Sequence, residues 1–132
     1  MVVAFPEKHL FTEKDDVPLI EIARETYLDR IHCEFREDFL AFCKKQSVDP
    51  SIIFRSQRED WIQDFVRDGV GVTVLPEYSL LKPTLDYRPV SEPSLMREVD
   101  FFVADRNSKS DGLHALIEMV DSYPWQSRLD ND

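Results

Sequence analysis

The chain has 132 residues, 42% of them hydrophobic and 32% charged, with 26 Asp and Glu against 16 Lys and Arg for a formal net charge of −10. That size and composition suit one folded domain, and the acidic balance repels phosphate backbones, so this chain alone is not expected to bind DNA. No apolar run approaches the roughly 18 residues that span a bilayer, and the N-terminus MVVAFPEKHL lacks the basic start and long apolar stretch of an export signal; a cytoplasmic setting with no membrane partner is expected.

Val2 to Phe5 is an apolar strand candidate ended by Pro6, and a second strand is predicted over Pro18 to Ile22. Thr26 stands where it can cap a long helix. Leu28, Ile31, Phe35, Phe39 and Phe42 then advance by helical steps, and Lys44 and Lys45 complement the negative helix end. Ile52 to Phe54 reads as a strand, and Ser56 three residues before Glu59 forms a reciprocal cap for a helix beginning near Gln57, with Trp61, Ile62, Phe65 and Val66 on its apolar side. Gly69 supplies a left-handed stop, and Val70 to Leu75, closed by Pro76, is a further strand. This is a β-α-β crossover with its two strands running the same way. Open parallel sheets of this kind hold ligands where strand C-terminal ends meet helix N-termini.

Glu77 to Leu81 is predicted as a helical turn, and the segment carrying Leu85, Tyr87 and Val90 as an edge strand, because Pro89 cannot donate to a ladder. Val99, Phe101 and Val103 alternate as in a strand. A polar turn over Asp105 to Asp111 leads to a last helix from about Gly112 to Ser122, whose face carries Leu113, Leu116, Ile117 and Val120, and the tail after Trp125 is polar and expected to fray. The whole is expected to form one α/β domain over residues 1–132, a Rossmann-like three-layer sandwich with a mostly parallel sheet.

Its three histidines are far apart and show no zinc-ligand spacing with either cysteine, and glycine occurs only at positions 69, 71 and 112, too scattered to cradle a phosphate. No metal and no cofactor are expected. No nucleophile elbow or Ser/His/Asp order stands out among the many acidic residues, so an enzyme is not expected.

The segment FVRDGVGVTVLP, Phe65 to Pro76, is similar to the "VxxGxGVxxLP" stretch that recurs in the effector-binding region of LysR-type transcriptional regulators. Val2 to His9 resembles the place where that family's chain crosses into its second subdomain, Pro18-Leu19-Ile20 the strand that follows, and Arg97 to Ala104 with Leu113 to Tyr123 the returning strand and final helix. The resemblance implies half of a type 2 periplasmic-binding-protein-like fold, the second subdomain plus the C-terminal helix. It also implies that the chain is a fragment. A small-molecule effector, self-association through a last helix left without its partner, and DNA contact only through an absent N-terminal winged helix-turn-helix domain are what the family leads one to expect.

Helix starts at Thr26 and Ser56 would aim N–H donors to one side of the sheet, and Arg55 adds a positive charge beside them. The resemblance places effector contacts at such strand-to-helix junctions. Glu25, Thr26, Tyr27, Arg55, Ser56 and Gln57 are therefore the candidate effector-binding residues, for a small carboxylate. The neighbouring acids Glu25, Glu59 and Asp60 leave a cationic or amphoteric effector open.

Cys33 and Cys43 are candidate redox residues, because the family's peroxide-sensing branch carries two cysteines in this region and Arg36 to Cys43 is similar to its "R-[DE]-x4-F-C" setting; Cys33 falls one position early. Ten residues of intact helix span about 15 Å, whereas a bridge needs Cα atoms within about 7 Å, so two reduced thiols are the expectation. A thiol-based sensor and a solute-binding-type receptor or enzyme are the alternative readings.

Overall fold

The computed structural model describes residues 1–81, 85–96, 98–104 and 110–125, and divides into two compact units between Glu98 and Val99. In the first unit the elements are β1 (Val2–Phe5), β2 (Val17–Pro18), α1 (Leu19–Ile22), β3 (Thr26–Arg30), α2 (Arg36–Lys45), β4 (Ser51–Ser56), α3 (Glu59–Arg67), β5 (Thr73–Leu75) and β6 (Asp86–Ser91), with single 3-10 turns at Leu10–Glu13 and Glu77–Ser79. Four strands pair in the order β2-β6-β1-β5. Two main-chain bonds, Leu28 N to Val72 O and Val72 N to Thr26 O, each 2.9 Å, carry the row on to β3 and its partner β4. Parallel pairings join β2 to β6, β3 to β4 and Tyr27 to Val72, while β1 runs antiparallel to both β5 and β6.

The crossover from β4 through α3 to β5 is present, and both strands run parallel to β3, which lies between them. Alternation along β1 shows how the layers form. Val3 and Phe5 join Phe11, Leu19, Ile22, Tyr27 and Phe39 in one core, and Val2 and Ala4 join Leu28, Ile62, Val66 and Leu75 in another. A sheet buried on both faces with helical segments over each is the three-layer α/β arrangement.

Several local expectations are corrected. Leu19–Ile22 is a short helix, and the second strand is only Val17–Pro18. Thr26 caps nothing, because Thr26–Arg30 is a strand and the helix begins ten residues later at Arg36. Leu28 and Ile31 matched the helical spacing by coincidence; pairing with β4 on one side and Val72 on the other outweighs that local pattern. The strand of Pro89 is interior: β6 lies between β1 and β2, and Pro89 is accommodated because the two-residue β2 pairs only with Val90 and Ser91.

The helix ends follow their sequence signals. Gly69 has φ +79°, with Val70 N bonded to Phe65 O and Gly69 N to Val66 O, the paired bonds of a Schellman stop. Ser47, at φ +55°, closes α2 in the same way, with Val48 N bonded to Cys43 O. In β4 one residue is supernumerary: Tyr27 faces Ile52 and Leu28 faces Phe54, so Ile53 has no partner across the pair and is 55% exposed.

The second unit contains α4 (Asp111–Ser122), capped by the Ser110 hydroxyl, which accepts from Leu113 N at 3.4 Å. None of its residues is fully buried. The strand expected around Val99, Phe101 and Val103 does not form; residues 98–104 are irregular, and Phe101 and Phe102 are exposed. A strand needs a neighbour for its N–H and C=O groups, and among the described residues of this unit there is none. Most of the polar turn (residues 105–109) and the tail after Trp125 lie outside the described residues.

Candidate functional site

Because β3 and β4 are parallel and in register at their ends, Arg30 lies beside Ser56, and each strand then turns into a helix. Residues 31–35 lead to α2, and residues 57–58 lead to α3. Two helix N-termini thus sit at one end of the sheet, as expected, but they begin at Arg36 and Glu59. The positive poles of both helices face this corner.

Three charged groups from separate elements meet on the α2 side. Asp29 is 2% exposed. Arg36 donates to it from Nε and Nη2 at 2.9 to 3.1 Å, and Arg55, directly across the strand pair, donates from Nε at 3.2 Å. The hydrogen bond to Asp29 holds Arg36 still more firmly in its charged form. Arg36 also approaches the exposed Glu37 carboxylate, Nη1 to Oε1 3.9 Å, and Arg55, 59% exposed, is the member of the cluster that presents its charge to solvent. On the α3 side, Arg30 donates from Nε to Glu59 Oε2 at 2.6 Å, and Gln63 Nε2 donates to Glu59 Oε1 at 3.1 Å. Arg58 lies over the Trp61 ring at 5.2 Å, and its hydrogen bond to Asp60 holds that carboxyl below its ordinary range.

The reciprocal cap at Ser56 takes a different form. The Ser56 hydroxyl accepts from Arg58 N at 2.9 Å, closing a turn ahead of the helix, and Glu59 is occupied by Arg30 and Gln63. Of the six candidate effector residues, Arg55, Ser56 and Gln57 lie at this corner. Glu25, Thr26 and Tyr27 lie at the opposite end of β3, about 13 Å away at about 3.3 Å per strand residue. Glu25 and Thr26 line a separate crevice of about 230 Å³ with Pro6, His9 and residues 69–72, where His9 Nε2 is 3.7 Å from Glu25 Oε2. Tyr27 is buried and stacked on Phe39 with ring centroids 4.5 Å apart, and burial raises its phenol far above the usual value. Sequence reading missed Asp29, Arg30, Arg36 and Arg58; the available signal was an Asp-Arg pair ending an apolar strand, hidden while that strand was read as helix.

Cys33 is half-buried in the turn before α2, and Cys43 is buried within α2, so the helical spacing assumed for the pair does not describe them. Both are free thiols, and burial is the main cause pushing each thiol above its ordinary range. Among the described residues no group of three or more His, Cys, Asp or Glu could hold a metal ion, and no helix is long and apolar enough to cross a membrane.

Residues 1–124 match the family profile described as the LysR substrate binding domain. Comparison with curated protein sequences gives no match. Among solved structures, a putative LysR family transcriptional regulator from Pseudomonas aeruginosa aligns with TM-score 0.60 at 20% identity, over 70% of this chain and 34% of that one. The effector binding domain of QuiR in complex with shikimate aligns with TM-score 0.61 at 19% identity, over 71% and 46%. The oxidized form of OxyR aligns with TM-score 0.55 at 26% identity, over 70% and 46%. The chain therefore spans between about a third and a half of the length of these neighbours. Their shared architecture is the type 2 periplasmic-binding-protein-like α/β fold expected from the sequence. With the family profile covering 124 of 132 residues, this chain belongs to the LysR substrate-binding domain family.

Proposed function

We propose that the chain is the effector-sensing fragment of a LysR-type transcription regulator, cytoplasmic and non-catalytic, binding a small carboxylate at the corner formed by residues 30–33 and 55–58. The exposed Arg55 guanidinium of the Asp29, Arg36 and Arg55 cluster, lying beside two helix N-termini, is the observation that carries this reading. The solved neighbours include QuiR bound to shikimate and BenM bound to benzoate, both small carboxylates, which supports the ligand class. On this reading both compact units belong to one regulatory domain, and DNA is contacted by a winged helix-turn-helix outside this sequence.

Titration calorimetry of this chain against a panel of small carboxylates, shikimate and benzoate included, tests it. Arg55→Ala is expected to weaken binding roughly tenfold, the size of one half-exposed charge-assisted hydrogen bond. The thermal midpoint should fall by no more than about 3 °C, because Arg36 continues to hold Asp29. Unchanged affinity removes Arg55 from the site.

Self-association belongs to the same proposal. It is supported by the exposed side chains of Phe101, Phe102 and Met119 in the second unit. Sedimentation velocity is expected to show a dimer or larger species that dissociates on Phe102→Asp substitution; a monomer at all concentrations removes this part of the proposal.

A further inference from the structure

A glutamine in an amphipathic helix normally faces water, yet Gln63 of α3 is fully buried. The helix does not need it there. Leucine or methionine would fill the same space without desolvating an amide, so the polar group has to be explained by its partners. Gln63 Nε2 donates to Ser79 O at 2.8 Å as well as to Glu59 Oε1 at 3.1 Å, and Gln63 Oε1 accepts from Leu81 N at 2.8 Å. The remaining Glu59 oxygen is bonded to Arg30. One side-chain amide therefore joins the end of β3 and the start of α3 to the backbone at residues 79–81, where the neighbouring side chains Tyr78 and Leu81 are exposed.

We propose that Gln63 is a positioning residue: it sets the orientation of the Glu59 and Arg30 pair at the corner and links that pair to the 79–81 segment. A displacement at the corner, such as an effector drawing on Arg30 or on the start of α3, is then transmitted to residues 79–81. The linkage stands on contacts within the chain, and only its description as an effector response rests on the function proposed above. Glu59 and Arg30 are charged groups in the chain of contacts, and both are partly exposed and hydrogen-bonded within the chain.

Amide hydrogen exchange of the whole chain tests this, with the Leu81 amide as reporter and the Val3 and Leu75 amides as references for global opening. Gln63→Met is expected to speed Leu81 exchange at least tenfold relative to those references. Arg30→Met is expected to speed it about threefold or more in the natural chain and to have no further effect once Gln63 is methionine. Equal effects of Arg30→Met in both backgrounds would overturn the proposal, as would a Leu81 amide that ignores Arg30. Gln63→Glu supplies a second measurement. At pH 8 its carboxylate faces Glu59 and the Ser79 carbonyl, and protonation restores a donor, so Leu81 protection, corrected for intrinsic rate, should recover towards pH 5 while Gln63→Met stays flat. No recovery counts against the proposal. Linkage without carboxylate binding would retain this inference and remove the effector reading; binding without linkage would do the reverse.

Discussion

Gly71→Ala is expected to lose about 3 kcal/mol of stability, roughly 10 °C in melting temperature, while Gly69→Ala loses only about 1 kcal/mol. The two glycines are two residues apart and serve different ends. A Cβ on Gly71 would lie 2.5 Å from Thr26 O and 3.2 Å from Thr26 C, and the obstruction is backbone that no rotamer change can move. Thr26 O is also the acceptor for Val72 N, so a retreat of β3 breaks the bonds joining β3 to the rest of the sheet. At Gly69 a Cβ meets nothing within 4 Å, and the penalty is only the strain of φ +79°. Urea titration of both variants checks the contrast; equal losses would mean that the contact at Thr26 is not the constraint described.

Asp29→Ala is the second large effect, with an expected loss of about 2–3 kcal/mol. Removing one partner of a buried pair commonly costs about 3–5 kcal/mol, because the remaining charge is left without compensation. Here the value falls lower, since Arg36 keeps a quarter of its side chain exposed and Arg55 more than half, so water screens both. Removing Arg55 alone should cost under about 1 kcal/mol, whereas Arg36→Ala should approach the Asp29 value. Chemical denaturation of the three single variants and the Asp29/Arg36 double variant gives the coupling. An Arg55 loss as large as the Arg36 loss would show that the bidentate contact does not dominate.

How legible this was in the sequence depends on the kind of signal each segment carries. The Gly69 stop and the lysine-rich end of α2 are local physics and appear where expected, and so does the apolar face of α3 at Ile62 and Val66, whereas Trp61, expected on that face, is exposed and Gln63 is buried in its place. The strand at Thr26–Arg30 was not legible, because it is buried on both faces and so lacks the alternation that marks a half-exposed strand. That one misreading propagated to the site. Arg55, Ser56 and Gln57 are at the corner because the end of β4 was anchored correctly, and Glu25, Thr26 and Tyr27 are displaced because their anchoring helix starts at Arg36 instead. The returning strand around Phe101 failed for a complementary reason: its pattern has strand character, but pairing is a property of two segments and cannot be read from one.

The unpartnered residue in β4 has a consequence for how copies of this chain behave at high concentration. β4 borders the β3–β4 ladder, and its outward N–H and C=O groups would otherwise be a ready template for another molecule's strand. A bulge at Ile53 breaks the repeat spacing of those groups midway along a six-residue strand, so an incoming strand can match it for only two or three residues before falling out of step. Open-ended fibrillar stacking through this border is thereby disfavoured, even though Ile53 itself is apolar and faces solvent.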